Sequence, residues 1–343
     1  MYAAVLSGEK SITVQQVEKP AISANEVLVK VELCGICGTD LHAYLHPGLC
    51  PVGTIFGHEC AGVAAEVGSS VDHVKVGDRV AVHPAPGCGT CLNCLRGHDN
   101  ACDELNIGNS LERPGAFAEF VRIARPEHAL YKIPETMSFA EAALIEPLAT
   151  AFHAVRQSHI KSGDCAVVLG CGPIGLAVVQ YLKLIGADKI IVVEISAVRG
   201  ELAVQLGADL VLDPSTEGAA LVSKVQGETG GEGAAVVYEC TGVSKVFSSA
   251  VEYLRTGGQM ISIGVIEQDT PINPLSFILK EAVLRGSMCY SEKEFAQVLD
   301  DVAMGKIRTD VFLTGIVDLK DIETQGMQRL LSSSDALKIL VKP

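Results

Sequence analysis

Basic side chains are scarce in this sequence. Its 343 residues include 27 Lys and Arg against 41 Asp and Glu, and the formal net charge is −14. The basic residues form no run, whereas nucleic-acid binding requires a basic face that displaces counterions, so a nucleic-acid partner is excluded. The apolar fraction of 48% also excludes a disordered chain.

Long hydrophobic runs are scarce as well. The longest uncharged stretch, residues 165–182, has three glycines and a proline between residues 170 and 175. These residues suit a strand followed by a tight turn and would break a membrane-spanning helix. The N-terminal residues lack the basic region and apolar core of a secretion signal, so we expect a cytoplasmic protein without a membrane partner.

The length and the hydrophobic period predict two domains, because a single core stops growing at about 250–300 residues. The first third reads as short alternating strands, which indicates a mostly-β domain. From about residue 164, apolar strands alternate with amphipathic helices, which is typical of a parallel sheet in an α/β domain. The tail from Tyr290 does not extend this pattern. We therefore expect one domain of residues 1–157 and 290–343, and a second of residues 158–289.

Four of the twelve cysteines fall within a short segment, at a spacing of Cys-x2-Cys-x2-Cys-x7-Cys. In a reducing compartment cysteines are expected to be thiols or metal ligands. This spacing fits a tetrahedral Zn²⁺, and a closed shell of four cysteines indicates a structural metal. An iron–sulfur cluster and four unmetallated thiols stay open as alternatives. The predicted ligands are Cys88, Cys91, Cys94 and Cys102.

A glycine-rich motif at residues 170–175 directly follows an apolar strand and opens a helix. Glu194 closes the next strand. This context predicts a dinucleotide site, in which the helix N-terminus binds the pyrophosphate and the carboxylate binds the ribose hydroxyls. Glu194 favours NAD over NADP, but Arg199 leaves NADP open because an arginine can bind the 2′-phosphate. A turn without a ligand is the remaining alternative. The predicted contacts are Gly170, Gly172, Pro173, Ile174, Gly175, Glu194 and Arg199, with Thr241 at the end of a later strand.

Three dispersed segments carry side chains of the types that bind a catalytic zinc. They contribute Cys37, His58 and either Glu59 or Glu146. A catalytic zinc uses about three protein ligands and leaves one position open. Taken by themselves, these residues are more commonly explained by a buried core histidine and a free cysteine, because spacing alone does not show that the segments meet.

Taken together, the motifs resemble those of the zinc-dependent medium-chain alcohol and polyol dehydrogenases over essentially the whole chain. The segments concerned are 35–42, 57–68, the four-cysteine lobe, 146–148 and the glycine motif. The resemblance is strongest to the sorbitol, 2,3-butanediol and threonine dehydrogenase branch, because Glu146-Pro-Leu stands where simple alcohol dehydrogenases have a zinc-binding cysteine.

The resemblance implies an α/β protein with a GroES-like, mostly-β catalytic domain and a Rossmann domain with a doubly wound parallel sheet. It implies two Zn²⁺ per chain, one catalytic and one structural, and NAD. Cys37 and His58 would bind the catalytic zinc together with Glu59 or Glu146, and Asp40 would orient the histidine. Thr39 and His42 would relay the proton. Ile263, Gly264 and Val265 would contact the nicotinamide.

The resemblance further implies hydride transfer between NAD and a secondary alcohol, diol or polyol, which are small-molecule substrates. An L-threonine 3-dehydrogenase and an NAD-binding redox sensor without turnover are the alternatives. Segment 43–51 is expected at the pocket mouth, where Tyr44 and His46 are candidates to bind a second substrate hydroxyl or are plain surface residues. A homodimer or homotetramer is expected, formed through the sheet edge at residues 283–288.

Overall fold

The computed structural model describes residues 1–46, 48, 50–108 and 110–343. The chain divides into two compact units, which are residues 1–149 with 290–343 and residues 150–289. The border between them falls inside one helix, Ile145–Gln157. The sequence analysis placed the border at residue 157, the end of that helix. The hydrophobic period changes visibly only near residue 164, where the first strand of the second unit begins.

The strands and helices are numbered in chain order. The strands of the described residues are β1 (Tyr2–Gly8), β2 (Ser11–Gln16), β3 (Val27–Gly35), β4 (Glu59–Val67), β5 (Arg79–Val82), β6 (Phe120–Ile123), β7 (Leu130–Lys132), β8 (Cys165–Leu169), β9 (Lys189–Val193), β10 (Leu210–Leu212), β11 (Ala234–Glu239), β12 (Leu254–Ser262), β13 (Val283–Gly286), β14 (Leu313–Asp318) and β15 (Lys338–Lys342). The α-helices are α1 (Gly38–Leu45), α2 (Leu92–Leu95), α3 (Pro126–Ala129), α4 (Phe139–Ala143), α5 (Ile145–Gln157), α6 (Pro173–Ile185), α7 (Ala197–Gln205), α8 (Pro214–Glu217), α9 (Leu221–Glu228), α10 (Ser244–Ser249), α11 (Pro274–Lys280), α12 (Glu292–Ala303) and α13 (Gln328–Ser332).

The first unit is built on a seven-stranded sheet in the order β14-β15-β3-β4-β5-β7, with β6 paired to β3 and a separate β1-β2 hairpin. The valines of β3 are buried while Lys30 is exposed, because successive side chains point to opposite faces of a strand. β15, near the C-terminus, pairs with the end of β3, and the start of β4 pairs there as well. The C-terminal segment therefore lies beside residues that are about 300 positions away in the sequence.

The second unit is a six-stranded, all-parallel sheet in the order β10-β9-β8-β11-β12-β13. In chain order within the unit this is 3-2-1-4-5-6, which is the order of a doubly wound Rossmann fold. Every residue of β11 is buried, as expected for a central strand covered on both faces. The α/β fold class predicted from the sequence is confirmed.

Two helical segments of the chain are irregular. A π-helix, Ile322–Met327, precedes α13. A side chain at Gly326 would press against Ile36, so the glycine permits close packing there. A 3-10 turn, Ala250–Tyr253, continues α10. Across the described ranges, every helix is too short or too polar to cross a bilayer.

Candidate functional site

The glycine motif of the second unit forms the turn between β8 and α6. Gly170 has a φ of 86°, and a Cβ there would meet Thr241 Cγ2 at 2.7 Å. A Cβ on Gly175 would overlap the Gly170 carbonyl oxygen, so this glycine permits the helix to pack against the strand. A Cβ on Gly172, the N-cap of α6, would instead point into open space. The helix N-terminus therefore faces a space that fits a pyrophosphate.

Glu194 lies just beyond the end of β9 and is 7% exposed. Its carboxylate accepts hydrogen bonds from the Cys171 N–H at 2.6 Å and the Ser196 N–H at 2.8 Å. Arg199 lies in the first turn of α7, and its N–H donates to the Ser196 hydroxyl. The two predicted adenosine contacts are thus held beside the glycine turn.

Glu239, which the sequence did not single out, holds together two turns of the same sheet edge. It is fully buried at the end of β11. Its Oε1 accepts hydrogen bonds from the Thr241 N–H at 2.7 Å, from the Thr241 hydroxyl and from the Gly242 N–H at 3.1 Å. Its carbonyl oxygen accepts from the N–H groups of Ile263 at 2.9 Å and Gly264 at 3.0 Å. The signal available in the sequence was an acidic residue closing an apolar strand.

The four cysteines of the lobe in the first unit lie within ligand distance of one another. The Cys88–Cys94 and Cys91–Cys102 sulfur pairs are both 3.9 Å apart. A tetrahedral zinc with Zn–S bonds of about 2.3 Å places its sulfurs about 3.8 Å apart. Hydrogen bonds from the Thr90 side chain and backbone lower the pKa of Cys88 to about 6, while burial raises the pKa of Cys94 to about 12. The grouping of four sulfurs at this spacing fits a structural zinc, which would hold Cys94 in its thiolate form as well.

The second candidate metal centre joins the start of α1 to the start of β4. The potential ligand atoms of Cys37, His58 and Glu59 all lie within 4.8 Å of one another. Cys37 is the N-cap of α1, and Asp40 in the first turn accepts a hydrogen bond from its N–H at 2.9 Å. Asp40 Oδ1 is 3.7 Å from His58 Nδ1. A metal bound at the other ring nitrogen would therefore leave Nδ1 directed towards a carboxylate.

Lys338 on β15 is a residue of this metal centre that the sequence did not point to. Its side chain is almost fully buried, and its ammonium donates to both Glu59 oxygens at 2.5 and 2.6 Å and to the Ile36 carbonyl at 2.9 Å. Glu146 on α5 is held separately, because the Tyr290 hydroxyl donates to its Oε1 at 2.8 Å. The sequence signal for this contact was a lysine beside the apolar residues of β15, and the sequence does not show that its partner is Glu59.

The charges at this centre do not balance without a further cation. Burial raises the pKa of Glu146 to about 7, with Glu59 adding to the effect. Burial alone would lower the pKa of His58, but Asp40, Cys37 and Glu146 together raise it well above its usual value. The anionic forms of Cys37, Asp40, Glu59 and Glu146 face one ammonium, that of Lys338. A divalent cation fits this donor set, because it would supply the positive charge that bound protons supply in its absence.

The predicted relay residues lie on α1 beside this centre. The Cys37 Sγ and Thr39 Oγ1 atoms are 3.7 Å apart, and His42 follows three residues later on the same helix face. Tyr44 is 2% exposed, and its hydroxyl donates to Glu323 at 3.1 Å, so it belongs to the core. His46 is exposed at the end of α1. Neither Tyr44 nor His46 lines the cavity that borders His58. Residues 47 and 49 of the predicted pocket mouth lie outside the described residues.

Comparisons with known proteins agree with this geometry. Residues 23–135 match the model of the alcohol dehydrogenase GroES-like domain, and residues 173–304 match that of the zinc-binding dehydrogenase. The chain is 35% identical to (R,R)-butanediol dehydrogenase from Bacillus subtilis, with all of both chains covered. It is 32% identical to sorbitol dehydrogenase from the same organism, covering 100% of this chain and 97% of that protein. A putative zinc-binding dehydrogenase from Sinorhizobium meliloti bound to NADP has a similar structure, with a TM-score of 0.91 at 31% identity over 100% of this chain and 99% of that one.

We expect Gly172→Ala and Gly175→Ala to have different effects. The Gly172→Ala methyl group enters open space, so the protein should fold normally but bind NAD at least about tenfold more weakly, because the methyl group obstructs the pyrophosphate. Gly175→Ala should destabilise the second unit by about 1–3 kcal/mol through overpacking. Thermal unfolding and calorimetric titration with NAD measure the two effects. Unchanged NAD affinity in Gly172→Ala would refute the phosphate site.

We expect Lys338→Met to lower the free energy of unfolding by about 3–5 kcal/mol, because Glu59 then remains buried without its partner. The double variant Lys338→Met/Glu59→Gln should recover more than half of that loss. Lys342→Met, on the exposed end of the same strand, is the matched control and should change stability by less than about 0.5 kcal/mol. Denaturant unfolding of the wild type, these three variants and the Glu59→Gln single variant tests this coupling, and strictly additive losses in the double variant would contradict it.

Proposed function

The chain belongs to the family of zinc-binding medium-chain alcohol dehydrogenases, and we propose that it transfers a hydride between a secondary alcohol, diol or polyol and NAD. The observation that carries the proposal is the grouping of Cys37, His58 and Glu59 within 4.8 Å, with Asp40 behind the histidine. A protein that only sensed NAD would need none of these four residues.

We assign Cys37 and His58 as ligands of a catalytic zinc, with Glu59 and Glu146 as the carboxylates that complete its shell. Lys338 engages both oxygens of Glu59, whereas Glu146 accepts a hydrogen bond from the Tyr290 hydroxyl. The two carboxylates are therefore suited to different tasks, one binding the metal and the other holding water. The four cysteines of the lobe would hold a structural zinc, whose closed shell leaves no position for substrate.

The chain's own residues would move the proton. When bound, the zinc supplies Lewis acidity that acidifies the substrate hydroxyl, and NAD accepts the hydride. Thr39, whose hydroxyl lies beside the Cys37 sulfur, takes the proton from the substrate. His42, three residues later on the same helix face, passes it to solvent, since an imidazole can both accept and donate a proton. Asp40 and Glu59 hold the ligands in place through the Cys37 N–H and Lys338.

NAD is the proposed cofactor, contacted by the glycine turn at residues 170–175, by Thr241 and by Ile263, Gly264 and Val265. The buried Glu194 carboxylate supports this choice, because it would repel the 2′-phosphate of NADP. Arg199, beside it on α7, is the residue that would bind that phosphate, and a structural relative carries NADP. Comparing kcat/KM for the two cofactors decides between these effects.

Diols and polyols are the proposed substrates because relatives named for butanediol and sorbitol align over essentially the whole chain. L-Threonine is the alternative substrate, an amino alcohol, and is to be tested beside the diols and polyols. A cytoplasmic location is proposed because all twelve cysteines are free, which suits a reducing compartment.

Cys37→Ser should reduce turnover of the best alcohol by at least about 10³-fold, because the site loses a thiolate ligand, while the affinity for NAD stays within twofold. Cys50→Ser is the matched control, since Cys50 is a buried thiol outside the proposed ligand set. NADH formation measured at 340 nm and calorimetric NAD binding provide the two readouts. Full activity of Cys37→Ser would remove the catalytic assignment, and absence of NADH from every alcohol tested would remove the substrate class.

A homo-oligomer formed through the edge of the second unit's sheet completes the proposal. β13 is exposed along its whole length, and Val283, Leu284 and Met288 are apolar residues of this edge. Ile278 and Leu279 on the preceding helix α11 are about 70% exposed. An unprotected apolar edge strand favours pairing with a second copy.

We expect Leu284→Lys to halve the molar mass measured by light scattering, because it places a charge on the proposed interface. Val76→Lys, at another exposed apolar position in the first unit, should keep the wild-type mass. A wild-type mass for Leu284→Lys would show that this edge is not the interface.

A further inference from the structure

A cavity in the first unit borders the candidate catalytic centre. Its volume is about 330 Å³, which is within the range of small-molecule pockets. Gly57 and His58 line one part of it, and segments 106–108, 112–116 and 121–125 line much of the rest. The residues that border it therefore include a proposed zinc ligand.

The lining of this cavity is basic, in contrast to the protein as a whole. Arg113, Arg122 and Arg125 line it, and Glu112 is the one acidic residue among the described lining residues. Basic side chains outnumber acidic ones in this lining, although the chain carries a net charge of −14 and Glu104 and Glu26, outside the lining, lie beside Arg125 and Arg122. The lining therefore offers guanidinium donors to an anion.

Arg125 has hydrogen-bonding capacity that the protein itself does not use. Its Nη2 atom pairs with Glu104 at 2.5 Å, but its Nη1 atom is buried without a hydrogen-bond partner in the described part of the chain. Leaving a buried charged donor unsatisfied is unfavourable, and a carboxylate or phosphate is the acceptor that fits a guanidinium.

The other two arginines are only loosely held. Arg113 donates to the Glu104 carbonyl at 3.4 Å, and Arg122 donates to the Glu112 carbonyl at 3.5 Å and lies 3.6 Å from Glu26. Both side chains belong to exposed residues, so they can turn towards a ligand without breaking a buried bond.

We propose that this cavity receives the anionic end of the substrate, so that the physiological substrate is a polyol or hydroxy acid bearing a carboxylate or a phosphate ester. This inference rests on the proposed dehydrogenase function. The hydroxyl-bearing carbon would lie beside the proposed zinc ligand His58, and the anionic group would lie among the arginines. Neutral diols and polyols are then poorer substrates of the same site.

The test compares substrates that share a carbon chain and differ in charge. Sorbitol is compared with gluconate and sorbitol 6-phosphate, and 2,3-butanediol with 2,3-dihydroxybutanoate, using NAD at saturating concentration. We expect at least one anionic compound to exceed its neutral partner at least about tenfold in kcat/KM. The carboxylate and phosphate arms identify which anion is preferred. Equal or better use of the neutral partner in both series would overturn the proposal.

Arginine variants assign any preference to the cavity. Arg125→Gln should lower the ratio of anionic to neutral kcat/KM by about ten- to a hundredfold, because a charge-assisted hydrogen bond is lost. Arg308→Gln removes the same charge at a surface pair with Asp310 and should leave the ratio unchanged. A ratio that responds equally to both variants would overturn the assignment.

Two further variants keep the test independent of the folding of Arg125→Gln. The exposed Arg113→Gln should lower the ratio, and Glu112→Gln should raise it, because the one negative charge of the lining is removed. Calorimetric binding of the preferred anion to the holoenzyme should weaken in Arg113→Gln as well. If no alcohol is oxidised at all, the proposed function fails; if neutral alcohols are oxidised without this charge dependence, only the present inference fails.

Discussion

The structure of the first unit depends on a buried cluster of acidic groups that its own residues neutralise only in part. Lys338 binds both oxygens of Glu59, but Cys37, Asp40 and Glu146 share the same interior. Burying uncompensated charge is costly. Without a metal, the chain can reduce the excess of negative charge only by keeping Glu146 and His58 protonated, and the pKa values of both groups are raised. A divalent cation would remove that need and, in the proposed function, would supply the Lewis acidity that activates a hydroxyl. The same electrostatic constraint therefore explains both how the site is held and what it does.

The topology explains why this cluster forms where it does. The antiparallel pairing of β15 and β4 with the end of β3 places Lys338 beside Glu59, and the short helix α1 begins at Cys37 immediately after β3. The dinucleotide turn is built entirely within the second unit, from the carboxyl ends of parallel strands. The arginine-lined cavity lies on the first unit, next to His58. The proposed metal, cofactor and anion sites are thus formed by separate local structures.

The sequence predicted the parts of the site that follow from local spacing. The four-cysteine lobe, the glycine turn and the acidic residue after β9 are each defined within about 25 residues. The grouping of Cys37 with His58 and Glu59 came from family resemblance, because spacing does not show that distant segments meet. Lys338 and Glu239 were missed, since the partner of one is 279 positions away and the other looks like the polar end of a strand. Tyr44 was expected at the pocket mouth, but it lies on the buried face of α1 and is 2% exposed.

The metal content of the purified wild-type chain tests the central claim most directly. Native mass spectrometry with elemental analysis should find two zinc ions per chain. A chelator should remove one of them with parallel loss of turnover, while the other stays in the four-cysteine lobe. Full turnover in a protein that holds a single zinc, or none, would contradict the account.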